Sequence, residues 1–194
     1  INNMKIIDSN TIFTQLNALS SLYCYAQSIY NNNCVTPRTK IIIVGTITPP
    51  DGNGYFYTSQ RNRVYGYIDA AYNTNLKALK TQLHSLTNPI DFINKIKLTL
   101  ISKQIAFLHV FESVIRKNGS PYDSDIKFAA LDYINFQTAL TKLKEPSVKV
   151  ICNSLLAEKY FNVIMQTIKP SCKITSIYLS QRYGKKCEWI KELK

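Results

Sequence analysis

The 194 residues carry 24 Lys and Arg against 12 Asp and Glu, a net charge of +12. Hydrophobic residues make up 45% of the chain, ordinary for one globular domain with a sizeable core. No apolar run approaches the roughly 18 residues of a membrane span, and no stretch has the basic, apolar, small-residue order of a signal peptide. The positive excess is the footprint of a polyanion binder, with plain solubility as the bland alternative. Cys24, Cys34, Cys152, Cys172 and Cys187 form no C-x-x-C pair. An odd count without metal spacing predicts reduced thiols, a cytoplasmic protein and no metal site. The chain opens on Ile1, and Met4 can serve as a natural start.

In chain order, Ile12, Leu16, Leu19, Tyr23, Ala26 and Tyr30 recur at helical spacing and predict a helix over residues 11–30. Asn10 can cap it. This helix is expected to cover one face of a sheet. A turn over 31–37 delivers the chain to Ile41, Ile42, Ile43 and Val44, a β-branched run ended by Gly45. Such a run reads as a strand buried on both faces. Residues 45–54 then hold two prolines, three glycines, an aspartate and an asparagine, the composition of a tightly set loop. Tyr55, Phe56 and Tyr57 follow, then Arg61, Asn62 and Arg63, and a helical pattern through Val64, Tyr65 and Ile68. A loop at the carboxyl end of a buried strand is where open α/β sheets bind ligands. It has neither phosphate-binding glycine signature. Its turn and aromatics suit a flat ring better than a pyrophosphate; a turn with buried aromatics is the alternative.

Further along, residues 69–88 are polar with weak helical character. Asp91 can cap a helix with Ile93, Ile96 and Leu100 inward. Residues 105–111 read as a strand with Ile105, Phe107, His109 and Phe111 on one face, and Ala106, Leu108 and Val110 on the other. Residues 117–125 read as a polar loop, 135–144 as a helix, and 147–152 as a strand holding a buried Cys152. Leu156, Tyr160, Val163 and Ile164 mark a helix. Residues 173–179 read as a strand, and 183–194 as a short basic helix with Trp189. Strands alternating with helices imply a mostly parallel sheet covered on both faces.

The sequence Gly45-Thr-Ile-Thr-Pro49, followed by Phe56-Tyr57 and Arg61-Asn62-Arg63, resembles the first motif of the uracil-DNA glycosylase superfamily. The mismatch-specific and hypoxanthine-DNA glycosylase branches are the nearest. The likeness continues through residues 105–126 (a strand, a basic helix and a Gly-Ser…Asp-Ser-Asp-Ile loop), 148–161, and 178–189 where the second motif belongs. It spans about residues 38–194. The resemblance implies a three-layer α/β/α sandwich around a four-stranded, mostly parallel sheet. The expected organisation is one glycosylase-like domain over 1–194, with residues 1–37 as a helical extension.

What the resemblance implies for function is a monofunctional DNA glycosylase acting as a monomer on DNA, without cofactor and away from membranes. The flipped base would stack on Tyr57, with Phe56 beside it. Ser180, Gln181, Arg182, Lys185 and Arg61 would bind DNA, Ser180 matching a phosphate-gripping serine. Departures from the pattern leave two roles open. Thr48 stands where relatives carry the Asn or Asp that positions water, so Asp51 or Asn62 can take that role, Asn62 being otherwise a helix cap. His109 stands where relatives read the base with Asn or Asp. It can donate or accept, need not demand uracil, and if protonated would stabilise the departing base; otherwise it is a core histidine. The Tyr57 hydroxyl is expected to meet a polar substituent on the base. Two alternatives remain: defence against viral DNA carrying a bulky modified pyrimidine, and an inactive nucleic-acid binder.

Overall fold

The structure is a computed structural model, and it describes residues 4–18, 23–25, 34–48, 55–83, 89–117, 120, 122–182 and 184–194. Among these residues the strands are β1 (Lys5–Ile6), β2 (Tyr23–Tyr25), β3 (Ile41–Gly45), β4 (Ile105–His109), β5 (Phe111–Lys117), β6 (Ile126–Leu131), β7 (Ser147–Cys152) and β8 (Lys173–Tyr178). The helices are α1 (Ser9–Ala18), α2 (Val64–Tyr72), α3 (Leu76–Leu83), α4 (Ile90–Ser102), α5 (Tyr133–Lys142), α6 (Leu155–Thr167) and α7 (Lys186–Leu193).

A central sheet in the order β4-β3-β7-β8 is parallel throughout. Alternation along its strands divides the core into two layers. Ile42, Val44, Ala106 and Leu108 pack with Phe136 and Leu140 of α5 and with Phe161 and Ile164 of α6. Ile41, Ile43, Ile105 and Phe107 pack on the opposite face with residues of α2, α3, α4 and α7. The β3 run is buried along its whole length, as a central parallel strand requires. Ile93, Ile96 and Leu100 form the buried face of α4. The expected α/β/α layering around four parallel strands is therefore present.

A second four-stranded sheet, β1-β6-β5-β2, was not legible. Three expectations need correction. Residues 23–25 are not helical: β2 pairs antiparallel with β5, Tyr23 opposite Lys117 and Tyr25 opposite Ile115, so a long-range pairing overrides the local helical spacing. Helix α1, described over Ser9–Ala18, lies on the second sheet rather than the central one, with Ile12 against Ile115 and Ala130. The basic helix implied after β4 is instead strand β5, whose Phe111, Val114 and Ile115 are buried. The chain also breaks its alternation at Val110, between β4 and β5, so Phe111 joins the layer of Val110 rather than that of Phe107.

Candidate functional site

Parallel pairing brings the carboxyl ends of β3, β4, β7 and β8 to one edge of the sheet. A cavity of about 270 Å³ opens there. Thr46, Ile47 and Thr48 continue from β3, His109 ends β4, Asn153 and Ser154 follow β7, and Gln181 follows β8. Tyr57 and Asn62 come from the segment entering α2, and Tyr122 and Asp123 from the β5–β6 connection. A larger cavity of about 630 Å³ lies by α5 and the residues leading into β8, away from this edge.

The aromatic turn is fixed from several sides. Thr58 Oγ1 donates to the Tyr55 carbonyl at 2.8 Å, and Tyr65 donates its hydroxyl to the Phe56 carbonyl at 2.6 Å. Tyr57 sits in the left-handed region at φ 57, a conformation costing a bulky residue about 1–3 kcal/mol. Its ring meets Phe107 edge-on at 4.7 Å and His109 at 5.8 Å. Gly45 makes room for this arrangement: a Cβ there would stand 2.8 Å from the Tyr57 hydroxyl and 3.2 Å from His109 Cδ2. The hydroxyl donates to the Ile43 carbonyl at 3.3 Å, so toward a ligand it can accept but not donate. Phe56 is buried behind His109, ring centres 4.4 Å apart, and supports that residue rather than lining the cavity.

His109 is 6% exposed, and its Nδ1 is buried without a hydrogen-bonding partner among the described residues. Burial, with the positive charge of Arg116 adding to it, pushes its pKa down to about 3. The ring is therefore neutral at physiological pH, offering one donor and one acceptor nitrogen. A protonated His109 is not available there, which corrects the cationic role.

The candidate water-positioning residues divide. Thr48 is buried, with Oγ1 3.5 Å from the Tyr55 carbonyl. Asn62 lines the cavity, and its Oδ1 accepts from Val64 N–H at 2.9 Å, so it also opens α2. Asp51 lies outside the described residues. Asp123, which sequence reasoning passed over, lines the cavity directly. Its Oδ1 accepts from Thr46 Oγ1 at 2.9 Å and lies 3.6 Å from Arg116 Nη2. Burial raises its pKa, against the opposing pull of Thr46 and Arg116. Tyr122 and Asn153 were also missed. The Asp-Ser-Asp sequence was noticed only as a loop; its carboxylates were the available signal.

A groove of about 1130 Å³ adjoins the cavity and shares Asn62 with it. Arg61, Arg63, Lys77 and Lys186 are exposed along it. Asp69, also on its wall, is engaged in starting α3, accepting from the backbone N–H groups of Leu76 and Lys77. Lys80 is buried and donates to the carbonyls of Ser59, Gln60 and Asn62. Of the expected DNA-binding residues, Gln181 reaches the cavity and accepts from Arg63 N–H at 3.3 Å. Ser180 Oγ accepts from Arg182 N–H, and the Ser180 carbonyl accepts from Trp189 Nε1 at 3.0 Å. Arg182 is exposed. Lys185 pairs with Glu188 at 2.6 Å, and Arg61 donates to the Tyr122 hydroxyl at 2.7 Å.

No protein-family model matches the sequence, and no curated protein matches it significantly. Among solved structures, a Methanosarcina acetivorans protein studied by solution NMR, and proposed to be a uracil DNA glycosylase, aligns with a TM-score of 0.56. The alignment covers 88% of this chain and 97% of that one at 15% identity. The two chains share a fold. Among the described residues no helix is long and apolar enough to cross a membrane, and no group of three or more His, Cys, Asp or Glu could hold a metal ion.

Proposed function

We propose that this protein is a monofunctional DNA glycosylase of the uracil-DNA glycosylase superfamily. It flips a damaged or modified base out of DNA and hydrolyses its glycosidic bond, leaving an abasic site. The observation that carries this reading is the cavity at the strand ends, where a neutral histidine with an unpartnered buried nitrogen meets Tyr57 beside a basic groove. The fold shared with a protein proposed to be a uracil DNA glycosylase agrees with it. So does the net charge of +12.

The duplex hides the glycosidic bond, so the nucleotide is extruded at a cost of a few kcal/mol. Exposed cations hold the phosphates on either side. Ser180, Gln181 and Arg182 fill the space the base vacates. The base enters against Tyr57, and His109 reads its edge. Asn62 and Thr48 orient the water, with Asp51 a further candidate from the same loop. Because neutral imidazole can donate or accept, His109 does not impose the uracil pattern. That favours a modified base, and it keeps open a role in defence against viral DNA carrying bulky modified pyrimidines. Among the described residues no lysine lines the cavity as an amine nucleophile, which supports an intact abasic site as the product. We place the protein in the cytoplasm as a monomer, with residues 1–194 acting as one domain.

The test is a set of oligonucleotides, single- and double-stranded, each carrying one uracil, hypoxanthine or 5-substituted pyrimidine. Alkali-labile cleavage at the marked position of at least one is the expected result. DNA binding with no abasic product from any of them would instead favour an inactive binder.

A further inference from the structure

The cavity contains one acidic wall among the described residues, and that wall is Asp123. Thr46 Oγ1 donates to its Oδ1, and Arg116 Nη2 approaches the same oxygen. Oδ2 makes no hydrogen bond among the described residues. Asp123 is 33% exposed at its side chain, so water can reach it, while Arg116 is fully buried. His109 lines the same cavity, and its Nδ1 is buried without a partner among the described residues, an orphaned polar group of the kind a bound water or ligand satisfies.

We propose that Asp123 is the catalytic carboxylate of this site, accepting through Oδ2 the proton of the water that attacks the sugar. The assignment rests on the glycosylase reading above. In the step, Asp123 takes a proton from water as the water oxygen forms a bond to C1′. The C1′–N bond breaks, and its electron pair leaves with the base. Asp123 then returns the proton to the departed base or to solvent. The products are a hydroxylated abasic sugar and a neutral free base, and the carboxylate is regenerated.

The other cavity residues do not supply this function. Thr48 and Asn62 hold a water but are not bases at neutral pH. His109, with its pKa near 3, is a weaker proton acceptor than a raised carboxylate. Thr46 directly follows Gly45, the last residue of β3, so the Thr46–Asp123 bond holds the carboxylate at the carboxyl end of the central strand. The charged and titratable groups around Asp123 are Arg116 from β5, His109 from β4, Tyr57 from the aromatic turn, Asp125 from its own turn, and Arg61 through Tyr122.

Asp123→Asn keeps the shape and removes the basicity. It is compared with wild type on the oligonucleotide that wild type cuts best, by single-turnover base release from pH 5 to 8, with DNA affinity and melting temperature alongside. We expect a rate loss of about a hundred-fold or more with affinity nearly unchanged. The wild-type rate should fall with acid as Asp123 protonates, at a pH higher than for an ordinary aspartate because burial raises its pKa, and this limb should vanish in the variant. Thr46→Val supplies a second readout: removing the hydrogen bond that lowers the pKa of Asp123 should move the limb to higher pH. An active wild type with an equally active Asp123→Asn, or a Thr46→Val limb that does not move, overturns the assignment alone. A wild type that releases no base from any oligonucleotide overturns the glycosylase reading and the assignment with it.

Discussion

His109 is the residue on which the proposed specificity rests. Its place at the end of β4 was legible, because the apolar run before it reads as a strand wherever it occurs. Its neutrality was not, because that depends on burial and on Arg116, which reaches it only in the fold. Asp123 was less legible still: its anchor, Thr46, lies 77 residues away in the chain. On the proposed reading, replacing His109 with Asn installs the residue type that the resemblance assigns to uracil-reading glycosylases. Loss of a matched hydrogen bond to a buried base edge costs about 1–3 kcal/mol, roughly ten- to a hundred-fold in rate. His109→Asn should therefore reorder the substrates, raising uracil relative to the native base. Side-by-side single-turnover rates check this, and an equal loss on every base would mean that His109 serves only the core.

At the scale of elements, the site depends on how two segments are held over the sheet edge. The β7 strand and the faces of α4 and α6 were readable from periodicity, since each buries a local pattern, and β8 was readable from its β-branched run although it stays at the exposed edge of the sheet. Strand β2 was not, since its pairing joins it to the distant β5, and the β5–β6 hairpin was hidden because a basic helix was expected where β5 runs. Tyr67 stacks on Trp189 at 5.3 Å and donates its hydroxyl to the Gln181 carbonyl, tying α2 to α7 and to the 180–182 loop. Lys80 does the corresponding work for residues 59–62, its ammonium bridging three carbonyls from a 5% exposed position in α3. Lys80→Met should fit the volume but leave those carbonyls short of a donor. We expect a stability loss of about 1–3 kcal/mol and weaker catalysis through a displaced Asn62. Thermal melting and single-turnover rates measure the two effects; a variant unchanged in both would show that the loop holds itself.

For the whole molecule, the parallel sheet brings the candidate site to one edge, and a groove with exposed Arg and Lys side chains lies beside it. The positive balance was visible in composition alone, but its concentration along the groove required the fold that sets α2, α3 and α7 together. If Arg61, Arg63, Lys77 and Lys186 each neutralise one phosphate, affinity for DNA should fall about a hundred-fold between 50 and 200 mM salt. Fluorescence anisotropy across that range measures the slope, and a flat response would remove the groove from the binding path. The most direct measurement of the central claim makes no assumption about the base. The protein is incubated with DNA of varied modification, and the small-molecule fraction is analysed by mass spectrometry while abasic sites are counted in the polymer. The account predicts a free base released in an enzyme-dependent way, matched by an equal number of abasic sites. DNA that is bound but yields neither free base nor abasic sites, whatever its modification, would contradict it.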